Sequence, residues 1–149
     1  MRIDTHAHIY AGDEATYPMK EDPYRPAAGV GDIEHLRREA ASNGIDRVVL
    51  VQTGSAYRWD NRLLADTARD HADWTRGVCT LDPTAEESVA ELERLVGEYN
   101  VKGVRIEAAA GHLRHAASER LWAAAGALQA VVCAHVHAEH LCELGELLA

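Results

Sequence analysis

Two histidines stand one residue apart, His6 and His8, in the opening segment MRIDTHAHIY. In an extended strand alternate side chains share a face. His6 and His8 then point the same way, with Asp4 and Tyr10, while Ile3, Ala7 and Ile9 point the other way. Two imidazoles at that spacing reach one divalent ion, and their nitrogen donors suit zinc or a similar metal. A chance pair, or two histidines hydrogen-bonded at a strand end, would leave the same trace. A second pair, His135 and His137, shares a face in CAHVH. In VKGVRIE, Arg105 shares a face with Gly103 and Glu107. A guanidinium in a pocket is a good bidentate partner for an acid group; an internal ion pair with Glu107 or with a neighbouring strand is the competing reading. His112, His115 and His140 read as solvated loop or helix residues.

These side chains need strands to carry them, and the chain supplies an alternating pattern. RIDTHAHIY reads as a strand. After a loop with proline and tyrosine, DIEHLRREAASNG reads as a helix, with Asp32 as N-cap, Ile33, Leu36 and Ala40 on one face, and Gly44 at its end. DRVVLVQ is bulky on both faces, as a buried parallel strand should be. TGSAYRWD reads as a loop, and NRLLADTARDHAD as a helix capped by Asp60. RGVCTLD is the third strand. Pro83 marks a turn, and Thr84 with Glu87 predicts a capping box for a helix running through Tyr99. VKGVRIE is the fourth strand, SERLWAAAGALQ a helix capped by Ser118, AVVCAHVH the fifth strand, and AEHLCELGELLA begins a fifth helix.

Five βα units with short connections predict a parallel sheet with crossover helices, either an open doubly wound sheet or a (β/α)8 barrel. No glycine-rich phosphate loop follows the first strand, which weakens the dinucleotide-binding version. His, Tyr, Arg, Glu and His follow the strands instead, and a barrel places its chemistry at those C-terminal strand ends. The expected fold is therefore a partial barrel, residues 1–149 being its N-terminal portion. A complete barrel runs to roughly 250 residues, and the last helical pattern reaches Ala149 without a stop signal. A truncated gene, a split subunit or a deliberately shortened chain would each fit. Five parallel strands also leave two outer strands unpaired. That predicts a homo-oligomer, poor solubility, or a complementing C-terminal half.

The formal net charge of −9 argues against a nucleic-acid or anionic-membrane surface. No apolar run has the length of a membrane span, and Met1 leads directly into strand-like sequence without a signal peptide. Cys79, Cys133 and Cys142 lack CxxC spacing and read as buried or incidental thiols in a reducing cytoplasm.

IDTHAHIY, then YP and PYRP, then RVVLVQ followed by DNRLLADTA, RGVCTLD and VKGVRIE form an ordered set. Together they resemble the amidohydrolase-related metal-dependent hydrolases, in the branch of 2-pyrone-4,6-dicarboxylate lactonase and 4-sulfomuconolactone hydrolase. The resemblance covers nearly the whole chain. It implies that His6 and His8 match ligands of metal-using relatives and that Arg105 matches a residue gripping a substrate carboxylate. By the same resemblance Tyr24 matches a substrate-contacting tyrosine, and Ser55 lies where pocket residues fall, though the match there is loose. His135 stands where metal-using members carry a pocket histidine and the dicarboxylate lactonase a tyrosine. The implied catalytic set is His6, His8 and His135, holding zinc or manganese or polarising a carbonyl without a metal. The implied substrate is a small carboxylated, ring-derived acid, and the reaction is hydrolysis of a lactone or similar bond. A nonoxidative decarboxylase of the same superfamily and a non-catalytic half-barrel are the alternatives. The family's sixth-strand histidine and eighth-strand aspartate have no counterpart in the sequence, so these residues alone are expected to turn over negligibly.

Overall fold

The computed structural model describes residues 1–108 and 113–148. Five strands, β1 (Ile3–Ala7), β2 (Arg47–Val51), β3 (Thr75–Thr80), β4 (Val101–Glu107) and β5 (Val131–His135), form one sheet in the order of the chain. Every pairing is parallel. The helices are α1 (Ile33–Ser42), α2 (Gly54–Tyr57), α3 (Arg62–Asp70), α4 (Ser88–Glu98), α5 (Ala116–Ala127) and α6 (Leu141–Leu147), with a 3₁₀ turn at Ala138–His140 before α6. Consecutive parallel strands joined by helices make the first five units of a (β/α)8 barrel, a curled half-barrel, as the sequence predicts.

The β-branched runs explain the layering. Val48, Leu50, Cys79, Val104 and Ile106 turn towards the helices, where they meet Leu64, Leu92, Leu95 and Leu121 in one continuous core. The opposite set on β4, Gly103, Arg105 and Glu107, faces the concave side. A bulge between Asp4 and Ala7 interrupts the β1–β2 register, and Asp4 Oδ1 accepts from the His6 amide at 3.0 Å.

Several caps differ from expectation. Asp32 caps α1 as predicted, accepting from the His35 amide at 2.7 Å. Replacing it by Ala should cost about 1 kcal/mol, read as a shift of the urea midpoint at constant m-value. The Thr84–Glu87 box does not form. Asp82 Oδ1 takes both the Thr84 amide and hydroxyl, at 2.9 and 2.7 Å, and α4 begins later. Ser118 is not a cap either: α5 starts at Ala116, His115 accepts from the Ala117 amide, and Ser118 is buried, donating to the Glu107 carbonyl at 3.3 Å. Asp60 lies one residue before the N-cap Asn61 and accepts from the Arg62 amide at 3.1 Å. The segment read as a plain loop after β2 contains the one-turn α2. Among the described residues no helix is long and apolar enough to cross a membrane. Cys79 is buried, Cys133 half-buried and Cys142 exposed; burial pushes the Cys79 thiol up to about 12, so it stays protonated.

Candidate active site at the C-terminal strand ends

His6 and His8 converge. Their Nε2 atoms lie 3.3 Å apart, with the rings edge to face. His8 Nδ1 lies 2.8 Å from the Val51 carbonyl. A carbonyl only accepts, so Nδ1 carries the hydrogen and Nε2 of the neutral ring presents a lone pair. Arg105 Nη2 lies 3.3 Å from His6 Nε2. A guanidinium only donates, so His6 Nε2 is an acceptor too. Two lone pairs thus face one another, an arrangement relieved by a cation between or beside them. Burial first, then the His8 and Arg105 charges, hold His6 below the ordinary imidazole value, with Asp4 pulling the other way. The neutral, ligating form is therefore the favoured one.

The donor geometry fits a metal. Two nitrogens, each at the usual Zn–N distance in a tetrahedral site, stand about 3.3–3.4 Å apart. The Val51 carbonyl fixes the His8 tautomer in the way outer partners fix metal-ligating histidines. Among the described residues, however, no group of three or more His, Cys, Asp or Glu is arranged around one ion. Within the described residues His6 and His8 are the pair whose ring nitrogens converge where a metal would be held.

His135 sits elsewhere on the same rim. Its Nδ1 lies 3.3 Å from Glu107 Oε1, because the β4–β5 register sets Glu107 directly opposite His135. Glu107 thus engages His135, while Arg105 turns to His6. A cavity of about 280 Å³ opens beside the pair, lined by Glu107, His135, His137, Glu139 and His140. His140, read from sequence as solvated, is buried, and its Nδ1 accepts from the His137 amide at 3.1 Å. His115 is a helix cap rather than a free loop residue, and His112 lies outside the described residues. Tyr24 is 84% exposed. Ser55 donates its hydroxyl to the Tyr24 carbonyl at 3.2 Å, so it ties the first loop to α2. The structure brings His6, His8 and Arg105 together and sets the Glu107–His135 pair beside them on the strand ends.

The sequence profile of the amidohydrolase family matches residues 3–149. No curated protein is significantly similar in sequence. Several solved structures share the fold. A protein described as a probable 2-pyrone-4,6-dicarboxylic acid hydrolase from Acinetobacter baumannii, with citric acid bound, superposes with a TM-score of 0.78 at 19% identity, over 99% of this chain and 54% of that one. A protein of the same provisional description from Pseudomonas putida gives 0.66 at 25% identity, over 89% and 47%. The 5-carboxyvanillate decarboxylase of Novosphingobium aromaticivorans, complexed with manganese and 4-hydroxy-3-methoxy-5-nitrobenzoic acid, gives 0.64 at 19%, over 91% and 50%. The chain spans about half the length of the structures it matches.

Proposed function

Because the chain belongs to the amidohydrolase family, we propose that it carries the carbonyl-activating part of a hydrolase that opens a lactone or similar bond in a small carboxylated, ring-derived acid. The observation that carries this reading is the 3.3 Å His6–His8 pair with the Arg105 guanidinium against it. A divalent ion, zinc or manganese, would there polarise the scissile carbonyl or acidify a bound water. His6 and His8 offer their Nε2 lone pairs, and the Val51 carbonyl keeps His8 in the required tautomer. Arg105 carries a permanent charge beside the pair, so it draws a substrate carboxylate to the reacting centre and fixes it through paired hydrogen bonds. Glu107 holds the His135 ring in one orientation, with Nε2 directed away from it. The general base would come from outside residues 1–149. A partner for the outer strands β1 and β5, whether a second copy or a complementing half, belongs to the same proposal.

Manganese in the decarboxylase structure favours a second reading, nonoxidative decarboxylation, on the same histidine pair. One assay separates the two: carboxylated lactones followed by ultraviolet absorbance for ring opening, and carboxylated phenols for carbon dioxide release. Metal content is the direct test of the pair. Zinc or manganese uptake should be weak and should disappear in the His6→Ala/His8→Ala double variant. Equal metal in the wild type and the double variant, measured by mass spectrometry after dialysis, removes the site.

A further inference from the structure

Arg58 is one of three non-glycine residues with positive φ in the described chain, at φ 50°, ψ −114°. The Asp60 amide donates to the Tyr57 carbonyl at 3.0 Å. Residues 57–60 therefore form a β-turn with Arg58 at its second position, and those angles are the type II′ values, where glycine is the residue of choice. The strain is held in place from below. Gln52, 2% exposed, donates its side-chain amide to the Arg58 carbonyl at 3.1 Å and to the Asp60 carbonyl at 2.7 Å. A side chain kept in a conformation that glycine would adopt freely invites a functional explanation.

The Arg58 side chain has a place to act. With Lys20, Gly54, Trp59 and Glu107 it lines a cavity of about 180 Å³. The Lys20 amide donates to the Ala56 carbonyl at 2.8 Å, which pins the first loop, and Lys20 with it, onto α2. Among the described residues neither the Lys20 ammonium nor the Arg58 guanidinium has a salt bridge or a side-chain hydrogen bond. The carboxylate that lines the cavity with them is already engaged. Glu107 holds His135; Asp82, whose acidity Arg58 raises slightly, stands outside the cavity lining and holds Thr84. Two uncommitted cations against one occupied carboxylate leave the cavity attractive to an anion.

We propose that Lys20 and Arg58 form an anion subsite that takes a carboxylate of the ligand remote from the His6–His8 pair. Glu107 also follows Arg105 by two residues on β4, so the subsite adjoins the proposed reacting centre, and its ligand is a compound with at least two acidic groups. This assignment rests on the proposed function only in making that ligand the substrate; the binding itself does not depend on the reaction.

The test is citrate titration of residues 1–149, followed by NMR at the Gly54 amide and the Trp59 indole. Citrate should shift both signals in a saturable, salt-sensitive manner, and acetate at equal concentration should do so far less. Arg58→Gly should raise the melting temperature by roughly 2–6 °C, because the turn is relaxed, and should weaken citrate binding roughly tenfold. Lys20→Gln should weaken it without the thermal gain. Citrate binding unchanged in Arg58→Gly, or citrate shifts that bypass Gly54 and Trp59, would overturn the subsite. His8→Ala should leave citrate binding intact. Loss of metal uptake in His8→Ala with citrate binding retained therefore bears on the proposed centre, and loss of citrate binding in Arg58→Gly bears on the subsite.

Discussion

Replacing Gly103 by valine should cost more than about 3 kcal/mol and leave little cooperatively folded protein. A Cβ on this residue would stand 2.8 Å from the Val131 carbonyl oxygen and 3.2 Å from Val78 Cγ2. The first contact is to backbone of the neighbouring strand, which cannot rotate away as a side-chain tip can. Relief requires β4 and β5 to part, and their ladder carries the register that sets Arg105 beside Cys133 and Glu107 beside His135. Gly103→Ala should already cost about 2 kcal/mol. Urea denaturation of the alanine variant measures the loss, and circular dichroism of the valine variant checks for retained structure. A valine variant of wild-type stability would show that the sheet at this point is far more compliant than its spacing implies.

The same stretch shows what the sequence could and could not disclose. VKGVRIE was legible as a strand from its branched residues, and its outward residues Val104 and Ile106 do reach the core. That Gly103 is glycine because a neighbouring backbone passes close by depends on register, which strand-like sequence does not encode. Register also decides that Glu107 meets His135; from spacing alone Glu107 looked as good a partner for Arg105. The His6–His8 convergence was legible because a two-residue period is enough to put both rings on one face. Which atom of each ring is the donor was not, since that follows from the Val51 carbonyl on another strand and from Arg105 on a third.

Local competition accounts for the other differences. The Thr84–Glu87 pattern is a sound capping signature, but Asp82 is closer and more acidic, and two hydrogen bonds from Thr84 go to it instead. Its carboxyl is held below the usual range chiefly by that hydroxyl. The turn at Arg58 was invisible because no glycine marks it. Only the angles reveal a glycine-type conformation, and only the buried Gln52 explains how an arginine is kept there.

Under the proposed function, in a version extended to a complete barrel, His8→Ala should lower kcat/KM by roughly 10²–10⁴-fold. The loss combines a missing lone pair at the reacting centre with the release of His6 from its partner 3.3 Å away. Arg105→Lys should act differently. A lysine keeps the charge but loses the planar fork, so KM should rise more than kcat falls if the guanidinium serves mainly to hold a carboxylate. The pH behaviour of the metal-free protein gives an independent reading of the same centre. Burial, His8 and Arg105 depress the His6 pKa below its unfolded value of 6.5. Between the folded pKa and 6.5 the unfolded chain therefore binds more protons than the folded one. This contribution to stability rises with pH across that window, is complete above 6.5, and is lost as the pH falls towards the folded pKa. The His6 ring should accordingly titrate below 6.5 by NMR, and Arg105→Gln should move its midpoint upward, since a repelling charge is removed. A His6 midpoint at or above 6.5, unmoved by Arg105→Gln, would mean that the guanidinium does not lie against the imidazole and that the pair is not poised as a neutral donor set.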